Sequence, residues 1–243
     1  MTADGDDFFG RLCALEGVPS ALAAARDGVD ALLRDRGLRR TTPAVTAEAL
    51  LRGAVASAQL AGSVSTLDEV RAGDGDAPAQ AATRLYAGLL TLAPVVSRSP
   101  LEALARMHTL AAAGAVPTDQ LGRPRPDPGA AAMLRSLGAR LLRPTSAPAI
   151  GVAALAHAEL MVSAPFGSAN DLVARALERL LLVTRGVDPT SVTVAEVGHQ
   201  QSGSAYGGAL AGYASGEAAG CRGWLLHAAA AVAAGAGASP LRT

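Results

Sequence analysis

Aromatic side chains are scarce in this sequence. Phenylalanine, tyrosine and tryptophan together make up 3% of its 243 residues, which excludes a core built on large aromatic anchors. Hydrophobic residues still account for 50% of the chain, and alanine is abundant among them. Alanine loses no side-chain entropy in a helix and lets neighbouring helices approach closely. The composition therefore predicts an all-α bundle stabilised by contacts between small and aliphatic side chains.

Cysteine is nearly absent as well, with only Cys13 and Cys221. Two cysteines do not make the framework of a disulfide-rich domain, so we expect each to be a small buried hydrophobic residue. No group of cysteine and histidine residues has the spacing typical of metal ligands. The sequence therefore predicts no metal site.

An excess of charge of either sign is missing too, because 21 basic residues balance 21 acidic ones. The arginines are also spread along the chain, so nucleic-acid binding is not expected. The longest weakly charged run, about residues 150–170, contains His157, Glu159 and Pro165 and is not typical of a membrane span. The acidic N-terminus, Asp4 to Asp7, lacks the basic start of a signal peptide. We therefore expect a cytoplasmic protein that does not bind membranes.

Helices are predicted over most of the chain from apolar periodicity and from the positions of proline and glycine. The predicted helices cover residues 20–36, 45–61, 78–92, 100–113, 130–142, 149–163, 170–184, 204–215 and 217–234. Three further segments, 1–18, 68–76 and 191–197, are predicted to be irregular. Residues 114–129 are rich in proline and glycine and are predicted to form a loop.

We predict two parts in this chain. Residues 1–43 would be an N-terminal leader and helix, and residues 44–243 a single helical domain. No internal repeat or long linker divides the second part.

One segment of the sequence points to a known family. Residues 164–175, APFGSANDLVAR, resemble the Fic (Fido) signature His-Pro-Phe-x-(Asp/Glu)-Gly-Asn-Gly-Arg-x-x-Arg. Pro165, Phe166, Asn170 and Arg175 match that pattern. The resemblance implies a Fic-like helical bundle. It also implies a relationship to enzymes that transfer AMP from ATP to a protein hydroxyl.

Similar landmarks occur in the same order along the rest of the chain. His157 resembles the histidine of the helix that precedes the family motif. Upstream, Met107–Leu110 and Gly122–Arg125 resemble the family's His-x-x-Leu helix and its Gly-x-x-Arg. Downstream, Tyr206 and Trp224 resemble its late tyrosine and tryptophan.

The residues that carry out the chemistry in the family are replaced in this chain. Ala164 stands at the position of the histidine that acts as general base, and it has no titratable atom. Ser168 replaces the acid that binds Mg²⁺, and a neutral hydroxyl is a poor substitute. Ala169 and Asp171 replace the two glycines whose backbone approaches the phosphates, and Leu172 replaces the first arginine. The resemblance therefore implies a degenerate active site with no catalytic residue.

The predicted helix over residues 45–62 carries a second degenerate motif. Its SAQLAG sequence, Ser57 to Gly62, resembles the self-inhibitory motif (Ser/Thr)-x-x-x-Glu-(Gly/Asn). Ala61 stands where the family has the inhibitory glutamate, which pairs with the final arginine of the signature. A protein without transfer chemistry would not need this inhibition.

The flap that docks target proteins in active relatives is also predicted to be reduced. Arg125 is followed by Pro126, Asp127 and Pro128 and then directly by a helical run. Proline cannot donate a backbone hydrogen bond, so strand addition is poorly supported here. We expect at most a minimal flap hairpin.

Two matching residues of the signature are candidates for binding a nucleotide or another anion, namely Asn170 and Arg175. Asn170 could instead cap a helix that begins at Asp171, because its side chain can accept a free backbone N–H. Arg175 could instead pair with an acid such as Glu159 or Glu178. Both alternatives stay open at the level of sequence.

Other polar residues are predicted to have structural roles. His157 is expected to be a core histidine, with relocation of the missing base to this position as the alternative. His108 is also expected to be structural, and His199 to be solvated in a loop. Arg123 and Arg125 are expected to be solvated in theirs.

The sequence favours a catalytically inactive Fic-like protein that acts as a binding or regulatory module for an unidentified protein partner. On this interpretation it needs no cofactor, although a weak nucleotide or anion pocket could persist. The alternative is an enzyme or sensor with altered phosphate chemistry at residues 163–175, for which ATP and Mg²⁺ would matter. Conventional AMP transfer is the third hypothesis, and a homodimer is left open.

Overall fold

Helices make up almost all of the regular structure. The computed structural model of the protein describes residues 7–34 and 41–242. Its α-helices are α1 (Phe8–Cys13), α2 (Val18–Leu32), α3 (Pro43–Leu60), α4 (Leu67–Ala72), α5 (Ala77–Leu89), α6 (Ala93–Val96), α7 (Pro100–Ala112), α8 (Pro128–Leu142), α9 (Ala149–Ser163), α10 (Asn170–Thr184), α11 (Ala195–Gln201), α12 (Ser204–Ala214) and α13 (Ala218–Gly237). Short 3₁₀ helices cover Leu90–Leu92, Thr118–Gln120 and Pro240–Arg242. The described part of the chain contains no strand, so the prediction of an all-α fold is confirmed.

The core is centred on α9, which is buried on every side from Ile150 to Ala158. A helix that is apolar around its whole circumference belongs in the middle of a bundle. It packs mainly against α10 and α13. The single tryptophan, Trp224 on α13, is fully buried and donates from Nε1 to the Ala154 carbonyl of α9 at 2.8 Å. Cys13 and Cys221 are free and buried, as predicted.

All three predictions of irregular structure missed a helix. In the described part of the first segment, the Asp7 side chain caps α1 by accepting from Gly10 N at 2.9 Å. In the second, Thr66 and Glu69 form a reciprocal capping box that begins α4. In the third, α11 begins at Ala195. These helices are only six or seven residues long, so they show little apolar periodicity.

The N-terminal helices are in contact with the rest of the bundle. Helix α2 packs along α13, and α1 contacts both α9 and α13. The predicted helix over 20–36 runs from Val18 to Leu32, and its predicted end lies outside the described residues, as do Asp4 and Asp6. A boundary at residues 43 and 44 stays a prediction.

The predicted flap segment has no hairpin. Between α7 and α8, the described residues contain one 3₁₀ turn and one isolated bridge between Ala113 and Val116. The segment is tied to the neighbouring signature region, because Arg125 N donates to the Pro165 carbonyl at 2.9 Å. The expectation of a reduced flap is therefore confirmed.

Candidate functional site

The signature residues form a loop, 164–169, that joins α9 to α10 and is called the motif loop below. Ala164 and Ala169 lie at its two ends with φ of 40° and 52°. This left-handed conformation costs a residue with a Cβ about 1–2 kcal/mol, whereas glycine adopts it freely. The motif loop therefore turns sharply at both ends, although alanine occupies both positions.

Asn170 holds the motif loop in shape from inside. Its Oδ1 accepts from Phe166 N at 2.8 Å, and its Nδ2 donates to Phe166 O at 2.9 Å. Helix α10 begins at Asn170 itself, and no side chain caps it. The alternative that Asn170 caps a helix beginning at Asp171 is therefore wrong, because the Phe166 backbone already takes both ends of the amide.

Arg175 is buried, with 1% of its surface exposed, and its guanidinium is occupied. Nε donates to Ser57 Oγ at 2.7 Å, and Nη2 donates to Ser57 O at 2.9 Å and to Asp171 Oδ2 at 2.8 Å. Nη1 lies 3.4 Å from Tyr206 OH. Arg175 therefore pairs with an acid, as one of the two alternatives had it. The acid is Asp171, one helical turn earlier on α10, and not Glu159 or Glu178, which were named as examples.

The charge of Arg175 persists despite its burial. Burial by itself would lower the pKa of the guanidinium, but Tyr206 and the Asp171 carboxylate more than offset this, so the pKa is raised. Glu159 lies elsewhere, where its Oε2 meets Arg140 Nη1 at 3.3 Å. A charged arginine therefore stands at the final position of the signature with four of its five N–H donors engaged.

The helix with the degenerate inhibitory motif, α3, reaches the signature through Ser57. Ser57 is fully buried, and both its hydroxyl and its carbonyl oxygen accept from Arg175. Ala61 is the C-cap residue of α3, and Gly62 follows with φ of 92°. Helix α3 therefore contacts Arg175 through two neutral oxygens of Ser57.

The three positions at which the resemblance places catalytic groups offer little chemistry. Ala164 is half-buried, Leu172 is buried in the hydrophobic core, and the Ser168 hydroxyl is buried with no hydrogen-bond partner. None of the three side chains can accept a proton at neutral pH. These three side chains therefore supply no general base.

A buried cluster of polar side chains lies behind the motif loop, and sequence reasoning did not find it. The Glu178 carboxylate Oε2 is 2.6 Å from His157 Nδ1 and 3.0 Å from His199 Nε2. His157 Nε2 meets Tyr206 OH at 2.8 Å, and His199 Nδ1 meets His227 Nε2 at 3.1 Å. Since a carboxylate only accepts, we assign both histidines as donors to Glu178, so that Tyr206 and His227 donate to their other nitrogens.

This arrangement makes His157 a core residue. Both of its nitrogens are occupied, and burial lowers its pKa although Glu178 opposes the shift. For Glu178, burial by itself raises the pKa, but His199 and His157 lower it well below the usual range. The expectation that His157 is a core histidine is confirmed. The expectation that His199 is solvated is wrong, because it is fully buried on α11.

The same cluster is where a metal could bind within the described part of the chain. Donor atoms of His157, Glu178 and His199 lie within 4.8 Å of one another, and Glu178 Oε1 has no hydrogen-bond partner. A cation there would have to displace the two protons that now join the histidines to the carboxylate. The three residues come from α9, α10 and α11, so no short sequence spacing could reveal them.

A second buried pair fixes the helices around the site. Arg179 donates from Nε and Nη2 to the two carboxylate oxygens of Glu196 at 2.8 and 2.6 Å. Tyr86 OH donates to the same carboxylate at 3.0 Å, and Arg179 Nη1 bonds to the carbonyl and hydroxyl of Ser191, both at 3.1 Å. The pair joins α10 to α11, and Tyr86 joins it to α5. Arg175 and Glu178 lie on the same helix as Arg179, one turn and one residue before it, so these bonds also fix their positions.

Within the described ranges, no helix is long and apolar enough to cross a membrane.

Comparison with known proteins gives matches in structure alone. No protein-family model and no curated protein sequence matches the chain. The crystal structure of a Fic family protein from Desulfovibrio desulfuricans matches with a TM-score of 0.72 and 17% identity, over 90% of this chain and 74% of that one. A fragment of Fic-1 from C. elegans matches with a TM-score of 0.65 and 18% identity, over 90% and 72%. The chain therefore has the fold of Fic family proteins.

Proposed function

We propose that this Fic-fold protein does not transfer AMP and acts as a binding or regulatory module for a protein partner. The observation that carries the proposal is the state of Arg175. The arginine that would receive a phosphate is buried and already bonded to Ser57 and Asp171. A cytoplasmic location and independence from a cofactor belong to the same proposal.

The missing groups support the absence of transfer. Loss of a general base alone typically slows a reaction by about 10²–10⁴-fold. Relative to the signature, Ala164 stands in place of the general base and Ser168 in place of the anionic metal ligand. Leu172 stands in place of an arginine that would bind a phosphate. His157 is poorly placed to replace the base, because both of its ring nitrogens are engaged.

The charge of Asp171 opposes phosphate binding directly. It lies in the first turn of α10, where the free N–H groups of a helix would otherwise attract an anion. Its side chain is 32% exposed, so it faces any ligand that approaches the motif loop. The carboxylate already binds Arg175 at 2.8 Å, so a phosphate would have to compete with it for the guanidinium.

Calorimetry with ATP and AMP, with and without Mg²⁺, tests the proposal. We expect no Mg²⁺-dependent binding and no transfer of label from ATP to lysate proteins. Asp171→Ala should release Arg175 and the helix terminus, so weak anion binding should appear. Asp68→Ala is the matched control, because Asp68 lies in the first turn of α4 and pairs with Arg71 at 2.8 Å.

Two results would contradict the proposal. The first is Mg²⁺-dependent binding of ATP by the unmodified protein, which Ser168 should not support. The second is label transfer that is lost on substitution of His157 or Glu159, which would show that the general base has moved to one of these residues.

A further inference from the structure

A cavity of about 300 Å³ lies beside the motif loop, on the side of the former flap segment. Its wall includes His108 from α7, Gly167 from the motif loop, and Asp119, Arg123 and Arg125 between α7 and α8. Ligand sites in proteins start at about this size. Neither Asn170 nor Arg175 lines it.

His108 contributes an unused hydrogen-bond donor to this wall. The residue is 1% exposed, and its ring stacks on Phe166 with centroids 4.3 Å apart and planes at 7°. Its Nδ1 accepts from Gly122 N at 2.9 Å. Because Nδ1 accepts a hydrogen bond, it carries no proton, so the proton of the neutral ring sits on Nε2. Burial lowers the pKa of His108, and the nearby Ser168 backbone opposes that shift. Nε2 is buried and makes no hydrogen bond of normal geometry.

The Ser168 hydroxyl, in the adjacent part of the motif loop, is a second buried polar atom without a partner. An unsatisfied buried donor is costly, so these two atoms next to the motif loop call for an explanation. His108 lines the cavity, whereas Ser168 does not. An acceptor atom of a molecule bound in the cavity would therefore address the His108 Nε2–H.

The charged groups of the wall select the kind of molecule. Arg123 is exposed, and among the described residues its guanidinium makes no hydrogen bond or ion pair. Arg125 donates to Ser163 O at 3.2 Å and lies 3.5 Å from Asp127, so part of its charge is already balanced. Asp119 is the carboxylate of the wall. Arg123 is thus the cation left for a ligand.

We propose that this cavity binds an organic anion, a carboxylate or phosphate group carried on an apolar body. Arg123 supplies the charge, and His108 supplies a neutral N–H donor behind it. Both groups only donate, so the ligand must accept, and the apolar walls at Val116, Pro124 and Pro126 fit a carbon skeleton. This site goes beyond the proposed function, because it does not use the phosphate position of the signature.

Titration with benzoate and with phenyl phosphate, followed by NMR and calorimetry, tests this site and separates the carboxylate from the phosphate source. We expect at least one probe to bind and to shift the Nε2–H resonance of His108. Arg123→Ala should weaken binding about tenfold, the loss for one charge-assisted hydrogen bond. Asp119→Asn should strengthen it, because a like charge is removed. Arg98→Ala, at an exposed arginine outside the cavity, should leave it unchanged.

Three results would overturn the proposal. The first is the absence of binding by both probes at millimolar concentration. The second is equal binding of neutral phenol, which would make the site merely apolar. The third is an equal loss in the Arg123 and Arg98 variants. A failure of the proposed function would be seen separately, as Mg²⁺-dependent ATP binding that Arg123→Ala leaves intact.

Discussion

Removal of Glu196 should reveal how strongly the buried ion pair holds the site helices together. In Glu196→Ala, Arg179 keeps its charge but loses both carboxylate bonds, and Tyr86 loses its acceptor. The two side chains are 3% and 2% exposed, so solvent screens their interaction little. Breaking such a pair by removing one partner typically costs about 3–5 kcal/mol. We expect the lower end, because Arg179 retains its bonds to Ser191.

The matched control is an ion pair of the same length on the surface. Glu102 and Arg106 also meet at 2.6 Å, but their side chains are 50% and 56% exposed. Exposed ion pairs contribute about 0–1 kcal/mol, so Glu102→Ala should lower the free energy of unfolding by no more than about 1 kcal/mol. Urea denaturation of both variants, with the slopes compared, measures the difference.

The double variant Arg179→Met with Glu196→Ala separates the charge from the packing. Removing the second charge should recover part of the stability lost in Glu196→Ala, because no unpaired ion is left buried. Equal losses in Glu196→Ala and Glu102→Ala would refute the reasoning. A double variant whose loss of stability exceeds the sum of the losses in the two single variants would also refute it.

Three further perturbations test other features of the fold by denaturation. Ala169→Gly should leave the free energy of unfolding unchanged or raise it by up to about 1 kcal/mol, since glycine adopts the left-handed turn freely. The control Ala139→Gly, in the middle of α8, should lower it by about 1 kcal/mol. Equal losses in the two variants would show that Ala169 is not strained. Gly28→Ala should stabilise α2 by about 0.5–1 kcal/mol, because the added Cβ meets no atom within 4 Å, and a loss would contradict that open space. Burial lowers the pKa of His157, and it lowers the pKa of His227 to about 4. As the pH falls below about 6.5, these histidines therefore bind protons in the unfolded state before they do so in the folded state. The free energy of unfolding should therefore fall between pH 6.5 and 4, by up to about 1.4 kcal/mol per pH unit for each proton, and a flat profile would be the contrary result.

Much of the fold could be predicted, because the signals that begin, end and orient a helix lie within its own stretch of sequence. The bounds of α9 and α10 were predicted to the residue, since apolar runs are interrupted there by Pro148 and by the motif loop. The short helices were missed, yet Thr66 and Glu69 have the spacing of a capping box, and this signal was present in the sequence. Helix α11 had no comparable signal, because a run of β-branched residues precedes it.

The sequence alone determined what the site lacks. Ala164 cannot take a proton in any fold, and Leu172 cannot hold an anion in any fold. Tertiary structure alone decided which groups meet. Ser57 and Tyr206 lie far from Arg175 along the chain, and the residues around Glu178 come from separate helices. Apolar periodicity tells which face of a helix is buried, but the partner of a buried polar group depends on how the helices pack, and that is set by the whole chain.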